Sequence, residues 1–181
     1  MNNYQKKIFK VCIVGNGGVG KTTILHRYVD GKFVKDTKVT VGTNFFMKSL
    51  IFPERNLQVT LQIWDLSGQP QFDMVRPNFY SGASGIIYTF ELIKLKSLID
   101  LTKWKEEVEK VVGTKPSILI GNKLDLITNS SEIIEKDEIL EMKKNLNSSA
   151  YFETSAKEDI MIREAFYEFT NDILKHYLTK H

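Results

Sequence analysis

The octapeptide GNGGVGKT, residues 15–22, separates an apolar run from an amphipathic segment. It fits the pattern G-x-x-x-x-G-K-[ST], in which glycines let the backbone wrap so that amide N–H groups converge on phosphate oxygens. The N-terminus of the helix expected after it would add partial positive charge. In this pattern Lys21 reaches the β- and γ-phosphates, and the Thr22 hydroxyl can ligate Mg²⁺. The octapeptide predicts a nucleotide site without naming the base. Its expected members are Gly15, Gly17, Gly18, Val19, Gly20, Lys21, Thr22 and Thr23.

The segments around this octapeptide alternate between extended and helical patterns. Short apolar runs read as strands over residues 8–14, 43–52, 57–64, 85–92, 116–122 and 150–153. Helical periodicity covers residues 21–29, 98–112 and 162–177. The second and third strands read as a hairpin, and the later strands are apolar on both faces, as strands between helix layers must be. The alternation predicts an α/β fold: an open, mostly parallel sheet with helices on both faces. We find no linker, so residues 1–181 are expected to form one domain.

Composition excludes several classes of protein. The net charge of +3 comes from 25 basic and 22 acidic residues spread along the 181 residues, which does not indicate a nucleic-acid partner. The only cysteine, Cys12, lies in an apolar run and reads as a buried small side chain, which fits a reducing, cytoplasmic setting. No signal-peptide pattern precedes the first strand, and no apolar run approaches the roughly 20 residues of a membrane span.

Two later tetrapeptides indicate the base. NKLD, residues 122–125, follows one predicted strand and TSAK, residues 154–157, follows another. Both therefore lie at the carboxyl edge of the sheet, where open α/β folds bind ligands. The Asp125 carboxylate can accept hydrogen bonds from both N1–H and the exocyclic amine of guanine, and adenine has no such pair of donors. These residues favour GTP over ATP.

The ordered motifs GNGGVGKT, TVGTNF (40–45), LQIWDLSGQ (61–69), NFYSGASG (78–85), NKLD and ETSAK (153–157) resemble those of the Ras superfamily of small GTPases, most closely its Rab branch. The resemblance covers nearly the whole chain. It implies a P-loop NTPase fold, the Ras-like G domain, with a six-stranded sheet in which one hairpin strand is antiparallel. It also implies a molecular switch that binds GTP and GDP with Mg²⁺ and slowly hydrolyses GTP.

The resemblance also implies roles for single residues. Gly17 and Gly18 would lie against the phosphates and Lys21 would span them. Thr22 and Thr40 would coordinate Mg²⁺, and Asp65 would hold a metal-bound water. The Gly68 amide would contact the γ-phosphate and Gln69 would orient the attacking water. Catalysis would thus involve Gln69, Lys21 and Thr40.

The guanine pocket implied by the resemblance has an aromatic residue, Phe33, against the ring. Asn122 and Asp125 would read the base, the stems of Lys123 and Lys157 would cover its two faces, and the Ala156 amide would reach O6. The expected pocket residues are Phe33, Asn122, Lys123, Asp125, Ser155, Ala156 and Lys157. A separate set, Phe45, Trp64 and Phe79, matches the exposed aromatic triad that Rab proteins present to effectors, with half-buried strand residues as the alternative.

Partners follow from the implied mechanism. No arginine occurs between Phe33 and Thr40, and small GTPases without an arginine finger in cis turn over on the order of 10⁻⁴ per second. We therefore expect an activating protein, together with an exchange factor and effectors at the switch regions of a monomer acting in membrane trafficking or signalling. Two alternatives stay open: a GTP-binding scaffold with little or no hydrolysis, and a P-loop kinase or ATPase, which Asn122 and Asp125 disfavour.

The sequence also departs from the Rab pattern. Thr37 stands where many relatives have a tyrosine that closes over the γ-phosphate, Leu66 and Ser67 replace Thr-Ala, and Pro70 replaces a glutamate. Pro70 raises the question of whether Gln69 can still orient water. The end ILKHYLTKH contains no cysteine for prenylation, so contact with internal membranes is expected only through partners or through a tail absent from this sequence.

Overall fold

The computed structural model describes residues 4–35, 40–130 and 133–179, so Thr37 lies outside the described residues. The strands in this part of the chain are β1 Gln5–Val14, β2 Thr43–Phe52, β3 Leu57–Leu66, β4 Gly85–Glu91, β5 Ser117–Asn122 and β6 Ala150–Glu153. The helices are α1 Lys21–Asp30, α2 Pro77–Tyr80, α3 Leu95–Ile99, α4 Leu101–Val112, α5 Lys136–Asn145 and α6 Ile162–Leu178.

The six strands form one sheet in the order β2-β3-β1-β4-β5-β6. β2 and β3 pair antiparallel, with Phe45 opposite Trp64, and all other neighbouring strands pair parallel. This confirms the predicted mostly parallel sheet with one hairpin. Because the parallel strands point the same way, the loops that follow β1, β3, β4, β5 and β6 meet at one carboxyl edge.

Helices cover both faces of the sheet, as predicted. Successive side chains of a strand point to opposite faces, so Val11 and Ile13 of β1 pack with α1 and α6, and Cys12 and Val14 pack with α3 and α4. Every residue of β4 is buried. Cys12 is buried as expected, and burial raises the pKa of its thiol to about 12.

Three details differ from the sequence prediction. The helical stretch 98–112 is interrupted at Asp100, between α3 and α4. The sequence did not indicate α5, because Ile139 is the one buried residue among its ten and no apolar stripe marks it. The hairpin connection contains a 3₁₀ turn, Pro53–Arg55, which ends at Asn56 with a left-handed φ of 51°. Among the described residues, no helix has both the length and the hydropathy of a membrane span.

Candidate functional site

The glycine-rich loop connects β1 to the N-terminus of α1. Gly15 follows β1 with φ 140°, and a Cβ there would lie 2.0 Å from the Thr89 carbonyl oxygen of β4. Only glycine lets the loop pass this close to the neighbouring strand. Gly20 has a left-handed φ of 97° and precedes the first helical residue, Lys21. The loop therefore leads directly into a helix N-terminus, where backbone N–H groups and the helix dipole favour an anion.

A cavity of about 320 Å³ opens in front of this loop at the carboxyl edge of the sheet. The predicted residues that line it are Gly17, Gly18, Gly20, Lys21, Thr22, Thr23, Phe33, Thr40, Gly68, Gln69, Asn122, Lys123, Asp125, Ala156 and Lys157. The cavity thus brings together segments that lie more than 100 residues apart in the chain. Four predicted residues, Gly15, Val19, Asp65 and Ser155, are outside this lining. Lys35 and Ser67 also line the cavity, and the sequence did not predict them.

Lys21 is a buried cation, with only 6% of its surface exposed. Its Nζ donates to the carbonyl oxygens of Gly15 at 2.6 Å and Asn16 at 3.0 Å. Burial lowers the pKa of the ammonium to about 8, although the neighbouring Asp65 carboxylate opposes the shift. Neutral carbonyls alone do not offset the desolvation of this charge, so the position favours an anionic ligand.

Thr22, Thr40 and Asp65 form a cluster of oxygen atoms beside the cavity. The Thr22 hydroxyl donates to Asp65 Oδ2 at 2.6 Å, and the Thr40 hydroxyl oxygen lies 2.8 Å from that of Thr22. Asp65 is fully buried, and its Oδ1 has no hydrogen-bond partner in the described part of the chain. Burial raises the pKa of this carboxyl, against the hydrogen bond from Thr22 and the charge of Lys21. Two hydroxyls beside a carboxylate with an unsatisfied buried oxygen suit Mg²⁺, which prefers oxygen ligands.

The segment after β3 lies against the glycine-rich loop. A Cβ on Gly68 would lie 2.3 Å from the Gly17 amide nitrogen, so only glycine permits this contact. Gln69 has an extended backbone, with φ −81° and ψ 137°. Its side-chain oxygen accepts a hydrogen bond from the Gln71 side-chain amide at 3.0 Å. Its backbone N–H donates to the Ser67 hydroxyl at 3.3 Å. The Ser67 departure from the Rab pattern therefore contributes a local bond to the backbone of Gln69.

Asn122, at the end of β5, joins three segments of the chain. Its buried side-chain amide donates to the Val19 carbonyl at 3.0 Å. Its side-chain oxygen accepts from the Thr154 hydroxyl at 3.1 Å and the Ala156 amide at 3.3 Å. The structure thus places this residue as a link between the glycine-rich loop and the TSAK segment, and its contact with a base stays a prediction.

Asp125 and Lys123 are both oriented by neighbouring side chains. The Ser155 hydroxyl donates to Asp125 Oδ1 at 2.6 Å, which accounts for the position of Ser155 behind the cavity lining. Lys123 has a left-handed φ of 67°, and its Nζ lies 3.0 Å from Oε2 of the buried Glu91. Glu91, at the end of β4, therefore positions the lysine that was predicted to cover one face of the base.

Arg27 of α1 supports the TSAK segment and was not predicted. Its guanidinium donates to the carbonyl oxygens of Ala156 at 2.8 Å and Lys157 at 2.9 Å. These acceptors lie about 130 positions further along the chain and belong to the backbone, so no local sequence pattern could have indicated the contact.

The predicted aromatic triad is contiguous. The rings of Phe45 and Trp64 have centroids 5.4 Å apart, and those of Trp64 and Phe79 are 5.7 Å apart. Phe45 is 48% exposed, whereas Trp64 and Phe79 are half-buried. Lys10 lies over the Trp64 ring, with Nζ 4.7 Å from its centroid. Phe45 thus fits the exposed triad, whereas Trp64 and Phe79 fit the alternative of half-buried residues.

Comparison with known proteins identifies the family of this nucleotide site. The Ras family model matches residues 10–175. The chain belongs to the Ras family. It is 35% identical to "GTP-binding protein YPTC5" of Chlamydomonas reinhardtii over 97% of this chain and 87% of the relative. "Ras-related protein Rab7" of Pisum sativum is 35% identical over 97% of this chain and 86% of its own length. "Ypt/Rab-type GTPase ypt7" of Schizosaccharomyces pombe is 37% identical over 92% of this chain and 82% of its own length.

Membership of the Ras family confirms the predicted function. The protein is a Rab/Ras-like small GTPase that binds guanine nucleotides and hydrolyses GTP. The kinase or ATPase alternative is therefore wrong, and nothing in the relatives favours the non-hydrolysing scaffold. Rab- and Ras-family proteins interact with exchange factors, activating proteins and effectors.

Proposed function

We propose that residues 1–181 form one GTPase domain that binds GTP and GDP with Mg²⁺ in the 320 Å³ cavity and switches effector binding by slow hydrolysis. The observation that carries this proposal is the cluster of Thr22, Thr40 and Asp65 around an unsatisfied buried carboxylate oxygen. It brings the glycine-rich loop, the segment before β2 and the end of β3 to one point. A γ-phosphate bound there would contact all three segments.

Mg²⁺ would be held by the hydroxyls of Thr22 and Thr40, with Asp65 contacting it through water. When bound, it neutralises charge on the phosphates and fixes their orientation. The chain's own residues supply the rest of the site. Lys21, already desolvated, would exchange its two carbonyl acceptors for phosphate oxygens, which gives a stronger charge-assisted hydrogen bond.

The remaining predicted residues divide between hydrolysis and base recognition. The Gly68 amide would donate to the γ-phosphate, and the Gln69 side chain would release Gln71 to orient the attacking water. Because phosphoryl transfer depends mainly on positioning and charge stabilisation, these two residues would supply the intrinsic rate of hydrolysis, and an activating protein would raise it. At the other end of the cavity, Asp125 would accept from guanine between the stems of Lys123 and Lys157, with Phe33 beside the ring.

The partners of this domain would recognise its nucleotide state. With GTP bound, Thr40 and Gly68 would contact the γ-phosphate and its metal, and hydrolysis would remove both contacts. Effectors would contact the triad of Phe45, Trp64 and Phe79, which lies beside these two segments. We propose that the protein is a cytoplasmic monomer, peripheral to internal membranes through partners or a lipidated tail, and that it acts in vesicle traffic. Its similarity to Rab and Ypt proteins supports this proposal.

Nucleotide content and single-turnover hydrolysis test this proposal. The purified protein is denatured, and the released nucleotide is identified by chromatography; we expect GDP. Protein reloaded with GTP and Mg²⁺ should convert it to GDP over hours, as the uncatalysed rates of this class imply. Retention of GTP with no conversion would contradict the cycling switch and support the scaffold alternative. Equal affinity for ATP and GTP would instead contradict the assignment of Asp125 to the base.

A further inference from the structure

Arg76 is a buried guanidinium whose five N–H donors all have acceptors. It is 4% exposed and lies just before α2. Nε donates to Glu107 Oε1 and Nη2 to Glu107 Oε2, both at 2.9 Å, and Nη2 also lies 2.7 Å from Asp73 Oδ1. Nη1 donates to the carbonyl oxygens of Ser67 at 3.3 Å and Gln69 at 3.1 Å. Full use of the fork requires arginine, because no other side chain presents five donors in one plane.

The two carbonyls bound by Nη1 flank Gly68. A trans peptide is planar, so the carbonyl of Ser67 and the amide of Gly68 point in opposite directions. By binding that carbonyl, Arg76 fixes the direction of the Gly68 N–H. Its second bond, to the Gln69 carbonyl, likewise fixes the peptide unit after Gln69. Arg76 therefore orients the backbone of both residues that are proposed to face the γ-phosphate.

Helix α4 connects this arginine to the glycine-rich loop. Cζ of the Arg76 guanidinium lies over the Trp104 ring, 4.3 Å from the ring centroid. The Trp104 Nε1–H donates to Asn16 Oδ1 at 3.0 Å. The Asn16 carbonyl in turn accepts from Lys21 Nζ at 3.0 Å. Trp104 and Glu107 lie three residues apart, on one face of α4. The Gly68 segment and the glycine-rich loop are thus attached to the same helix face, which fixes one relative to the other.

We propose that Arg76 is a positioning residue for GTP hydrolysis. Through its bonds to the Ser67 and Gln69 carbonyls, it keeps the Gly68 amide and the Gln69 side chain in register with phosphates bound to the glycine-rich loop. The inference rests on the proposed function, in which those two residues face the γ-phosphate. In the described part of the chain, the hydrogen bonds, ion pairs and ring contact of Arg76 involve no base-pocket residue, so its loss should change the rate of hydrolysis far more than nucleotide affinity.

The test is Arg76→Lys, which keeps the charge but cannot span the two carbonyls and Glu107 together. Single-turnover hydrolysis of preloaded GTP, dissociation of GDP and the thermal midpoint are measured on the same preparation. We expect hydrolysis to slow at least about tenfold, because misplacement of reacting groups by about 1 Å can cost about a hundredfold. GDP dissociation should change less than about threefold. Glu109→Gln, on the same helix and outside this network, is the matched control and should equal wild type in all three measurements.

Two outcomes overturn the proposal. In the first, folded Arg76→Lys hydrolyses GTP at a rate within twofold of wild type. In the second, GDP dissociates faster by the same factor by which hydrolysis slows. If Arg76→Lys does not fold, Glu107→Gln decides by the same criteria, since it weakens the bidentate partner and keeps its shape. The double variant should lose less than the product of the single losses, because both changes act through one guanidinium. Gln69→Leu is run in parallel: if it alone leaves the rate unchanged, the proposed function fails, independently of Arg76.

Discussion

The base end and the γ-phosphate end of the cavity are built differently. At the base end, protein groups bind one another: Asn122 makes three hydrogen bonds to two other segments, and Arg27 binds two carbonyls of the TSAK segment. At the γ-phosphate end, Thr40 contributes a hydroxyl contact to Thr22, and the backbone around Gly68 depends on Arg76. We infer that base recognition is set before any ligand binds, whereas the γ-phosphate end loses the contacts of Thr40 and Gly68 with the ligand when a phosphate leaves.

Asp125→Asn addresses the base end and should have the largest effect. The change removes a charged acceptor for two guanine donors and offers an amide that can pair with xanthine. Hydrogen bonds to charged groups contribute about 1.5–3 kcal/mol each, so GTP affinity should fall by at least about a hundredfold. XTP affinity should rise. Competition binding with GTP, XTP and ATP measures both.

A control for this variant is Ser155→Ala, which removes only the hydroxyl that orients Asp125. It should weaken GTP binding without creating XTP binding. Undiminished GTP affinity in Asp125→Asn would remove this carboxylate from the base site and, with it, the contrast between the two ends of the cavity.

Thr22→Asn addresses the junction of the glycine-rich loop and the γ-phosphate end. The larger amide displaces the hydroxyl that bonds Asp65 and meets Thr40, and it is the poorer metal ligand here. We expect the ratio of GTP to GDP affinity to fall on the order of thirtyfold, about 2 kcal/mol. Dissociation of labelled GDP and a GTP analogue, with and without EDTA, measures the ratio. An unchanged ratio in Thr22→Asn would exclude the metal role.

The base end could be predicted from sequence far better than the supports of the γ-phosphate end. NKLD and TSAK are contiguous motifs at strand ends, and the structure brings both to the cavity as expected. Arg27 and Arg76 act on backbone carbonyls, which every residue has, so their roles leave no mark in the local sequence. Asn16 pairs with Trp104, 88 positions away, for the same reason.

The fold shows a similar division. Strand β2 and the hairpin were predicted because apolar residues and a proline-containing turn mark them. Helix α5 was not, since only Ile139 of its ten residues is buried and no apolar face marks it. The interruption at Asp100 was also missed, because the apolar spacing of residues 98–112 continues across it. Periodicity thus reports burial, and burial alone does not locate a break in the backbone.

Gln69→Leu tests whether the γ-phosphate end performs hydrolysis. Leucine has similar volume but cannot hydrogen-bond water, so we expect single-turnover hydrolysis to slow about tenfold, or about 1.4 kcal/mol of barrier. Affinity for GTP and GDP should stay within about twofold, because the base end is untouched. Gln71→Leu removes the present partner of the Gln69 side chain and serves as control, with no loss of rate expected. A rate in Gln69→Leu equal to wild type would exclude Gln69 from water positioning.

Pro70→Glu restores the residue usual in Rab proteins and should have the smallest effect. Proline biases the preceding residue toward extended backbone, and Gln69 has that conformation, with φ −81° and ψ 137°. The same conformation has two further supports: the Gln69 carbonyl accepts from Arg76 at 3.1 Å and from the Phe72 amide at 3.1 Å. Proline also fits the first position of the 3₁₀ turn Pro70–Phe72, where no amide donor is needed. Replacing it should therefore leave Gln69 in place and change the single-turnover rate by less than about tenfold. Strong acceleration by Pro70→Glu, from a wild-type rate no higher than that of Gln69→Leu, would show that the proline, rather than the arginine, determines the backbone at this position. It would also show that the proline impairs hydrolysis and would support the scaffold alternative.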